Sequence, residues 1–171
     1  REALQRLSRE GLVEILPRKG INITQVGYEG GFLRVELART LLALMARTSA
    51  VRATPEQKQA FADIATSFDK IVQTPELGLF MQFDKVMLNL LCEACHNEHV
   101  CRAMSMLASE LRRIGYLHLQ KHDDIAVYAR IRVELARALD RGDPEAAETI
   151  IHQRMDYIES TLKGRTQTST K

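Results

Sequence analysis

Phe83-Asp84-Lys85-Val86-Met87-Leu88 is the stretch on which the fold of this chain depends, because it places one carboxylate in a nearly apolar helix that we predict to continue to Asn97. The neighbours of Asp84 are hydrophobic: Met81, Phe83, Val86, Met87, Leu88, Leu90 and Leu91. A carboxylate buried among such side chains is costly unless a cation or hydrogen-bond donors meet it. Asp84 therefore either meets a partner beside a core or lies on a solvent-exposed face, and periodicity alone leaves both open.

Length and composition suit one core-forming domain with a small appendage. The chain has 171 residues, of which 45% are hydrophobic and 27% charged. Its longest apolar run, 41–46, is too short to span a bilayer, and no secretory signal is visible. Three closely spaced cysteines indicate reduced thiols, so we expect a cytoplasmic protein. The net charge of +2 is too small to indicate nucleic-acid binding by itself, and a start at Arg1 inside a predicted helix suggests that the natural start lies upstream.

Six long helices are predicted after a linker at 25–31, which contains three glycines. They cover 32–50, 55–73, 76–96, 98–121, 124–141 and 144–163. Three begin with an oxygen-bearing cap followed by proline and an acid: Thr54-Pro55-Glu56, Thr74-Pro75-Glu76 and Asp143-Pro144-Glu145. Gln57 adds a capping box to the first of these. Gly164 is predicted to end the last helix, with 165–171 as a frayed tail. The pattern predicts an all-α antiparallel bundle over 32–164.

Residues 1–24 predict a different structure. Helical spacing over 1–10 ends at Gly11, and two short strands, 12–16 and 21–24, flank a basic turn. The segment resembles the GntR family of bacterial repressors, where a recognition helix passes into the wing of a winged helix-turn-helix domain. The matching residues are Arg1-Glu2-Ala3-Leu4, Leu7, Glu10-Gly11-Leu12-Val13 and Pro17-Arg18-Lys19-Gly20. The resemblance implies that Arg1, Arg18, Lys19 and Gly20 contact DNA; the alternative is a solvated basic helix with an incidental hairpin.

The helical part, over 34–160, resembles the FCD domain, which is the effector-binding module of FadR-type GntR regulators. The positions that carry this resemblance are Arg52-Ala53-Thr54, Asp84, Leu91, Asn97, Ala138, Gly142, Asp143 and Ala147. It implies a ligand-responsive transcription regulator that binds operator DNA as a homodimer.

The expected metal site departs from that family. Many FCD domains bind a divalent metal through one Asp and three His, and the metal then holds an organic acid. Asp84 is kept here, whereas Leu88, Arg132 and Arg154 stand where the resemblance places the three imidazoles. Leucine has no lone pair, and a guanidinium stays protonated. We therefore expect no metal and no cofactor at this position.

The two arginines suggest how the site could work without a metal. If Arg132 and Arg154 converge near Asp84, one guanidinium can pair with the carboxylate while the other presents a planar fork to a ligand acid. We therefore predict an effector site for a small carboxylate or other anion, formed by Asp84, Leu88, Arg132 and Arg154, with Arg39 as a third clamp. The alternative is that Arg132 and Arg154 are surface arginines in salt bridges, with Glu148 or Asp156 as the partner of Arg154.

A second cluster could hold a metal or act as a thiol sensor. Cys92, Cys95, His96 and His99 would share one helix face, and Cys101 lies nearby. Four ligands on one straight helix cannot surround a tetrahedral ion, however, and Asn97 is expected to break or cap the helix. Small cysteines are also common in helical cores.

Two other functions remain as alternatives. One is an oligomerisation module whose pocket has decayed or depends on a metal, and the other is a helical metal-dependent enzyme. No Ser-His-Asp spacing, glycine-rich phosphate loop or two-metal carboxylate set appears, so we predict that the protein is not an enzyme.

Overall fold

A computed structural model describes residues 2–9, 13–16, 20–24, 28–119 and 122–166. These ranges form seven helices and one two-stranded antiparallel sheet, which confirms the predicted all-α bundle preceded by a helix and a hairpin. The elements are α1 Glu2–Arg9, β1 Val13–Leu16, β2 Gly20–Ile23, α2 Tyr28–Arg52, α3 Pro55–Gln73, α4 Leu77–Ala94, α5 Glu98–His118, α6 His122–Arg141 and α7 Pro144–Thr166.

The hairpin pairs β1 with β2 in a register that places Val13 opposite Ile23 and Leu16 opposite Gly20. Gly20 opens β2 with a φ of 106°, a left-handed conformation that glycine adopts without the strain other residues would incur. Of the four residues predicted to contact DNA, Gly20 lies in this hairpin. Arg1, Arg18 and Lys19 lie outside the described residues.

Several element boundaries differ from the predictions, and three of these differences concern the linker, a glycine and a cap. α2 begins at Tyr28, so the last four positions of the predicted linker are helical, and α7 continues through Gly164 to Thr166. A glycine inside a helix costs only about 1 kcal/mol, which neighbouring helical residues can offset. α4 begins at Leu77 rather than after Thr74, because the backbone N–H of Thr74 still bonds to Lys70 and closes α3.

The other predicted helix signals act as expected. Thr54 accepts a hydrogen bond from the backbone of Gln57, whose side chain accepts one from the backbone of Thr54 in return. The Asn97 side chain caps α5 by accepting from Val100 at 3.3 Å. The Asp143 side chain caps α7 by accepting from the backbone of Ala146 at 3.0 Å. These caps satisfy N–H groups that a helix leaves without internal partners.

In the turn between α6 and α7, Gly142 closes α6 and the adjacent Asp143 caps α7. Gly142 has a φ of 70°, and its N–H bonds to the carbonyl of Leu139, while the N–H of Asp143 bonds to that of Ala138. This pair of bonds is the Schellman motif, in which glycine takes the left-handed position. The turn therefore sets the antiparallel direction of α7, which carries Arg154.

The core of the bundle is built around α2, which packs mainly on α7 and also contacts α4, α5 and α6; α3 packs on α6 and α4. The largest buried side chains of this core include Met45, Phe61, Phe68, Phe80, Met87, Leu91, Leu135, Leu139, Ile151 and Met155. Burying one side chain of this kind stabilises the fold by roughly 1.5–3 kcal/mol. No helix in the described ranges is both long enough and apolar enough to cross a membrane.

Candidate anion-binding site

Helices α2, α4, α5, α6 and α7 enclose a cavity on one side of this core. The centre of a water-sized molecule can occupy about 70 Å³ of this cavity. A cavity that holds one water needs only roughly 10–15 Å³ by the same measure. The polar lining of the cavity consists of Asp84, Lys85, Arg112, Tyr128, Arg132 and Arg154. Its remaining lining is Val35, Leu42, Phe80, Met81, Leu88, Met104, Ala108, Leu111, Ile114, Gly115, Leu119, Met155 and Ile158. Four predicted site residues, Asp84, Leu88, Arg132 and Arg154, therefore meet at one cavity although they lie on three helices.

Asp84 and Arg132 form an ion pair in the wall of the cavity. Nε of Arg132 donates to Oδ1 of Asp84 across 2.6 Å, and Nη2 of Arg132 contacts the same oxygen. The Arg132 side chain is only 5% exposed, and that of Asp84 is 27% exposed. Because a charge-assisted pair of this kind is strong when shielded from water, Arg132 is already engaged before any ligand enters.

Arg154, on α7, lines the cavity and has no carboxylate partner among the described residues. Its Nε is buried and has no hydrogen-bond partner among the described residues, and its Nη1 lies 3.7 Å from the thioether sulfur of Met155, a weak acceptor. Burial, and then the nearby charge of Arg132, lower the pKa of Arg154 to about 10. The guanidinium therefore stays cationic at neutral pH while lacking the acceptor that a buried cation needs.

Tyr128 also belongs to the site, and the sequence analysis missed it. Its ring lies between those of Phe80 and Tyr157, with centroids 6.3 and 5.3 Å away, and its buried hydroxyl has no partner among the described residues. Burial raises the pKa of Tyr128 to about 12, so the hydroxyl remains a donor. One signal was available: Tyr128 precedes Arg132 by four residues, which places both on one face of α6.

The donor set does not fit a divalent metal. Among the four positions that the resemblance assigns to ligands, only Asp84 offers an oxygen, and its Oδ1 already accepts from Arg132. Leu88 offers only hydrocarbon, and Arg132 and Arg154 bring positive charge instead of lone pairs. His152, two residues before Arg154, does not line the cavity; its Nε2 lies 3.9 Å from Glu148 on its own helix.

Arg39 does not reach the cavity, which corrects the prediction of a third clamp. It lies between the cavity-lining residues Val35 and Leu42 on α2, but its guanidinium turns to α7. Nη1 lies 2.7 Å from Asp156 and Nη2 lies 2.7 Å from Glu159. Two carboxylates at the outer edge of the bundle attract this cation, so Arg39 joins α2 to α7.

The surface alternative for Arg154 does not hold either. Asp156 pairs with Arg39, and Glu148 pairs with Arg47 at 2.9 Å. Neither acid contacts Arg154, which lines the cavity instead.

Helix α5 connects the cavity with the hairpin. Exposed Arg112 lines the cavity, and the next residue, Arg113, donates to the backbone carbonyl of Thr24 just after β2. Nη1 of Arg113 also lies 3.4 Å from the Thr24 hydroxyl. Earlier in the same helix, Glu110 pairs with Arg34 of α2.

The Cys/His cluster does not share one helix face, because α4 ends at Ala94 and the chain turns through Cys95 and His96. His96 has a positive φ of 48°, and the His99 side chain is 82% exposed. The sulfurs of Cys95 and Cys101 lie 3.6 Å apart, and burial raises the pKa of both thiols. Within the described ranges, no three His, Cys, Asp or Glu residues are grouped so as to hold a metal ion.

A family model for the FCD domain matches residues 35–157, a range that includes all the cavity-lining residues except Ile158. The chain belongs to the FCD domain family. Together with the helix and hairpin before it, this defines a GntR-type transcription regulator rather than an enzyme. Regulators of this type bind operator DNA and typically form dimers.

Two solved structures share this architecture. E. coli McbR/YncC superimposes with a TM-score of 0.82 over 96% of this chain and 79% of its own, at 12% sequence identity. Streptococcus agalactiae GntR superimposes with a TM-score of 0.54 over 95% of this chain and 79% of its own, at 17% identity. At these identities the likeness concerns the fold.

Proposed function

We propose that this protein is an effector-responsive, DNA-binding transcription regulator whose cavity recognises a small carboxylate or similar anion through arginine, without a metal. The observation that carries the proposal is Arg154, which lines the cavity and whose buried Nε has no acceptor among the described residues. An anion that enters this cavity supplies the missing acceptor and the missing opposite charge.

The charges in the cavity support the same conclusion. Arg132 and Asp84 neutralise each other, so Arg154 leaves one net positive charge at the cavity. Lys85 and Arg112 add exposed cations to the lining. Positive charge at a cavity raises the local concentration of anions and speeds their association.

The same helix that borders the cavity offers a route to the DNA-binding segment. A ligand that contacts α5 beside Arg112 changes the position of the adjacent Arg113, which holds the carbonyl of Thr24 at the end of the hairpin. In this proposal the DNA-binding surface includes Arg1, Arg18, Lys19 and Gly20, and a homodimer positions two such surfaces on a two-fold operator.

Thermal unfolding with a panel of organic acids tests the proposal. At least one acid at about 100 times its Kd should raise the Tm by roughly 5–10 °C, equally with and without a metal chelator. Arg154→Met should abolish the shift. Arg39→Met is the control, because it removes an arginine that lies outside the cavity, and it should keep the shift.

Two outcomes would contradict the proposal. Stabilisation that requires added zinc or nickel would assign the cavity to metal-dependent binding. No stabilisation by any acid would assign the domain to dimerisation with a decayed pocket. The proposed route through α5 has its own test: amide hydrogen exchange at 20–24 should change when the most stabilising acid is added, and this change should disappear in Arg113→Ala.

A further inference from the structure

We infer that the effector is an amphiphilic monoanion, a single carboxylate on an apolar body, whose head group is held jointly by Arg154 and Tyr128. This rests on the proposed function and narrows it to one class of acid. Neither the charge of the ligand nor a role for Tyr128 follows from the presence of two arginines alone.

The single charge follows from the pairing inside the cavity. Both contacts from Arg132 go to Asp84, through Nε and Nη2, so its positive charge is already compensated. Arg154 is the cation in the described cavity wall whose Nε is buried and that has no carboxylate partner. A monoanion neutralises it. The second carboxylate of a dianion has to compete with Asp84 for Arg132, enter the apolar part of the cavity uncompensated, or pair with exposed Lys85 or Arg112, where water weakens the interaction.

The joint head-group site follows from two unsatisfied donors. The Arg154 guanidinium and the Tyr128 hydroxyl line the same cavity, and each has a buried polar atom without a partner in the described part of the chain. The two groups are close enough for the charge of Arg154 to influence the pKa of Tyr128. A carboxylate has two oxygens with several lone pairs, so one head group can accept from both. Buried donors in native proteins normally have acceptors, and this pair defines where the acceptor would sit.

The apolar body follows from the rest of the lining. Beyond the polar groups, the cavity wall consists of aliphatic, thioether and aromatic side chains, with Leu88 of α4 and Met104, Leu111 and Ile114 of α5 among them. Leu88 stands where the family resemblance places a polar metal ligand, so hydrocarbon extends up to the ion pair. A ligand with hydroxyl groups along its body would lose hydrogen bonds to water there without replacement.

Calorimetric titration of the whole chain with matched acids tests the inference. The probes are hexanoate, benzoate, succinate, adipate and gluconate, at pH 7 and constant ionic strength. The monocarboxylates with hydrocarbon bodies should bind at least tenfold more tightly than the dicarboxylates and than the hydroxylated gluconate. Tyr128→Phe should weaken hexanoate or benzoate binding by roughly 10- to 100-fold, since a hydrogen bond to a charged group is lost.

Asp84→Asn should change which acids bind most tightly, a result that a purely structural role of Asp84 would not produce. It releases Arg132 and leaves two cations at the cavity, so the preference should move from monocarboxylates toward succinate or adipate. Arg39→Met should keep the wild-type order. If Asp84→Asn does not fold, the order of acids on the wild-type chain decides the question.

The possible failures are distinguishable. Tighter binding of succinate, adipate or gluconate than of hexanoate and benzoate would overturn the inference and leave the proposed function intact. Unchanged monocarboxylate binding in Tyr128→Phe would overturn the joint head-group site. Absence of binding by every acid would overturn the proposed function and the inference together.

Discussion

Arg132 donates to Oδ1 of Asp84 across 2.6 Å and thereby joins α6 to α4 in the wall of the cavity. The pair answers the question that the sequence raised, namely which group compensates an acid among hydrophobic residues. It also distinguishes the two arginines of the site. Arg132 is neutralised by Asp84, whereas Arg154 has no carboxylate partner among the described residues.

Breaking the Asp84–Arg132 pair from one side should destabilise the protein. Arg132→Met leaves Asp84 without its cation, and we expect a loss of about 1–3 kcal/mol, below the value for a fully buried pair because Asp84 is partly exposed. The double variant Asp84→Leu with Arg132→Met should recover most of this loss, since no charge is left uncompensated. Urea unfolding at pH 7 measures both free energies. Equal stability of Arg132→Met and the wild type would show that the pair contributes little.

Removing Arg154 should stabilise the ligand-free protein. Burial lowers the pKa of this cation from 12.5 to about 10, so at every pH below 10 the fold bears the cost of keeping it charged. A shift of this size corresponds to at most about 3 kcal/mol. We expect Arg154→Met to raise the free energy of unfolding by roughly 1–3 kcal/mol at pH 7 while abolishing carboxylate binding. A gain in stability together with a loss of binding is the pattern expected of a functional residue. Lower stability in Arg154→Met would contradict the prediction.

The pH dependence of carboxylate binding should report the charge of residue 154. In the wild type, affinity should stay nearly constant between pH 6 and 9, because the lowered pKa of Arg154 still lies near 10. In Arg154→Lys, the same burial should lower the pKa of an amine that starts near 10.4, so the positive charge and the affinity should fall as pH rises through this range. Titration with benzoate at pH 6, 7, 8 and 9 compares the two proteins. Parallel pH profiles would argue against a charge-dependent head-group site.

Gly142, in the turn before α7, should tolerate an added side chain poorly. Its φ of 70° disfavours any other residue, and an added Cβ would lie 3.2 Å from the carbonyl oxygen of Ala50 and 3.0 Å from Nζ of Lys58. We expect Gly142→Ala to lower the free energy of unfolding by roughly 1–2 kcal/mol. Thermal unfolding measures this loss. Gly115→Ala is a suitable control, because Gly115 is helical and an added Cβ there meets nothing within 4 Å.

Local sequence signals predicted most of the helix boundaries. Thr54 with Gln57 and Asp143 each caps the helix that it was expected to begin, because a cap depends on residues only two or three positions apart. Asn97, which was expected to break or cap a helix, caps α5. The same reasoning failed at Thr74, whose backbone completes α3 instead of starting α4. Which helix a shared residue serves depends on where the two helices meet, and the local sequence does not contain that information.

The sequence by itself determined the helical bundle, the family and the loss of the imidazole ligands, because these depend on periodicity, spacing and side-chain chemistry. Only the tertiary structure decided that Arg39 turns away to Asp156 and Glu159 and that Arg132 pairs with Asp84. It also decided that Arg154 and Tyr128 each have a donor without an acceptor among the described residues. Helical spacing specifies the face on which a side chain lies, but a long cation can reach several neighbouring helices from one face. The positions of the carboxylates in the folded chain determine which of these helices the cation contacts.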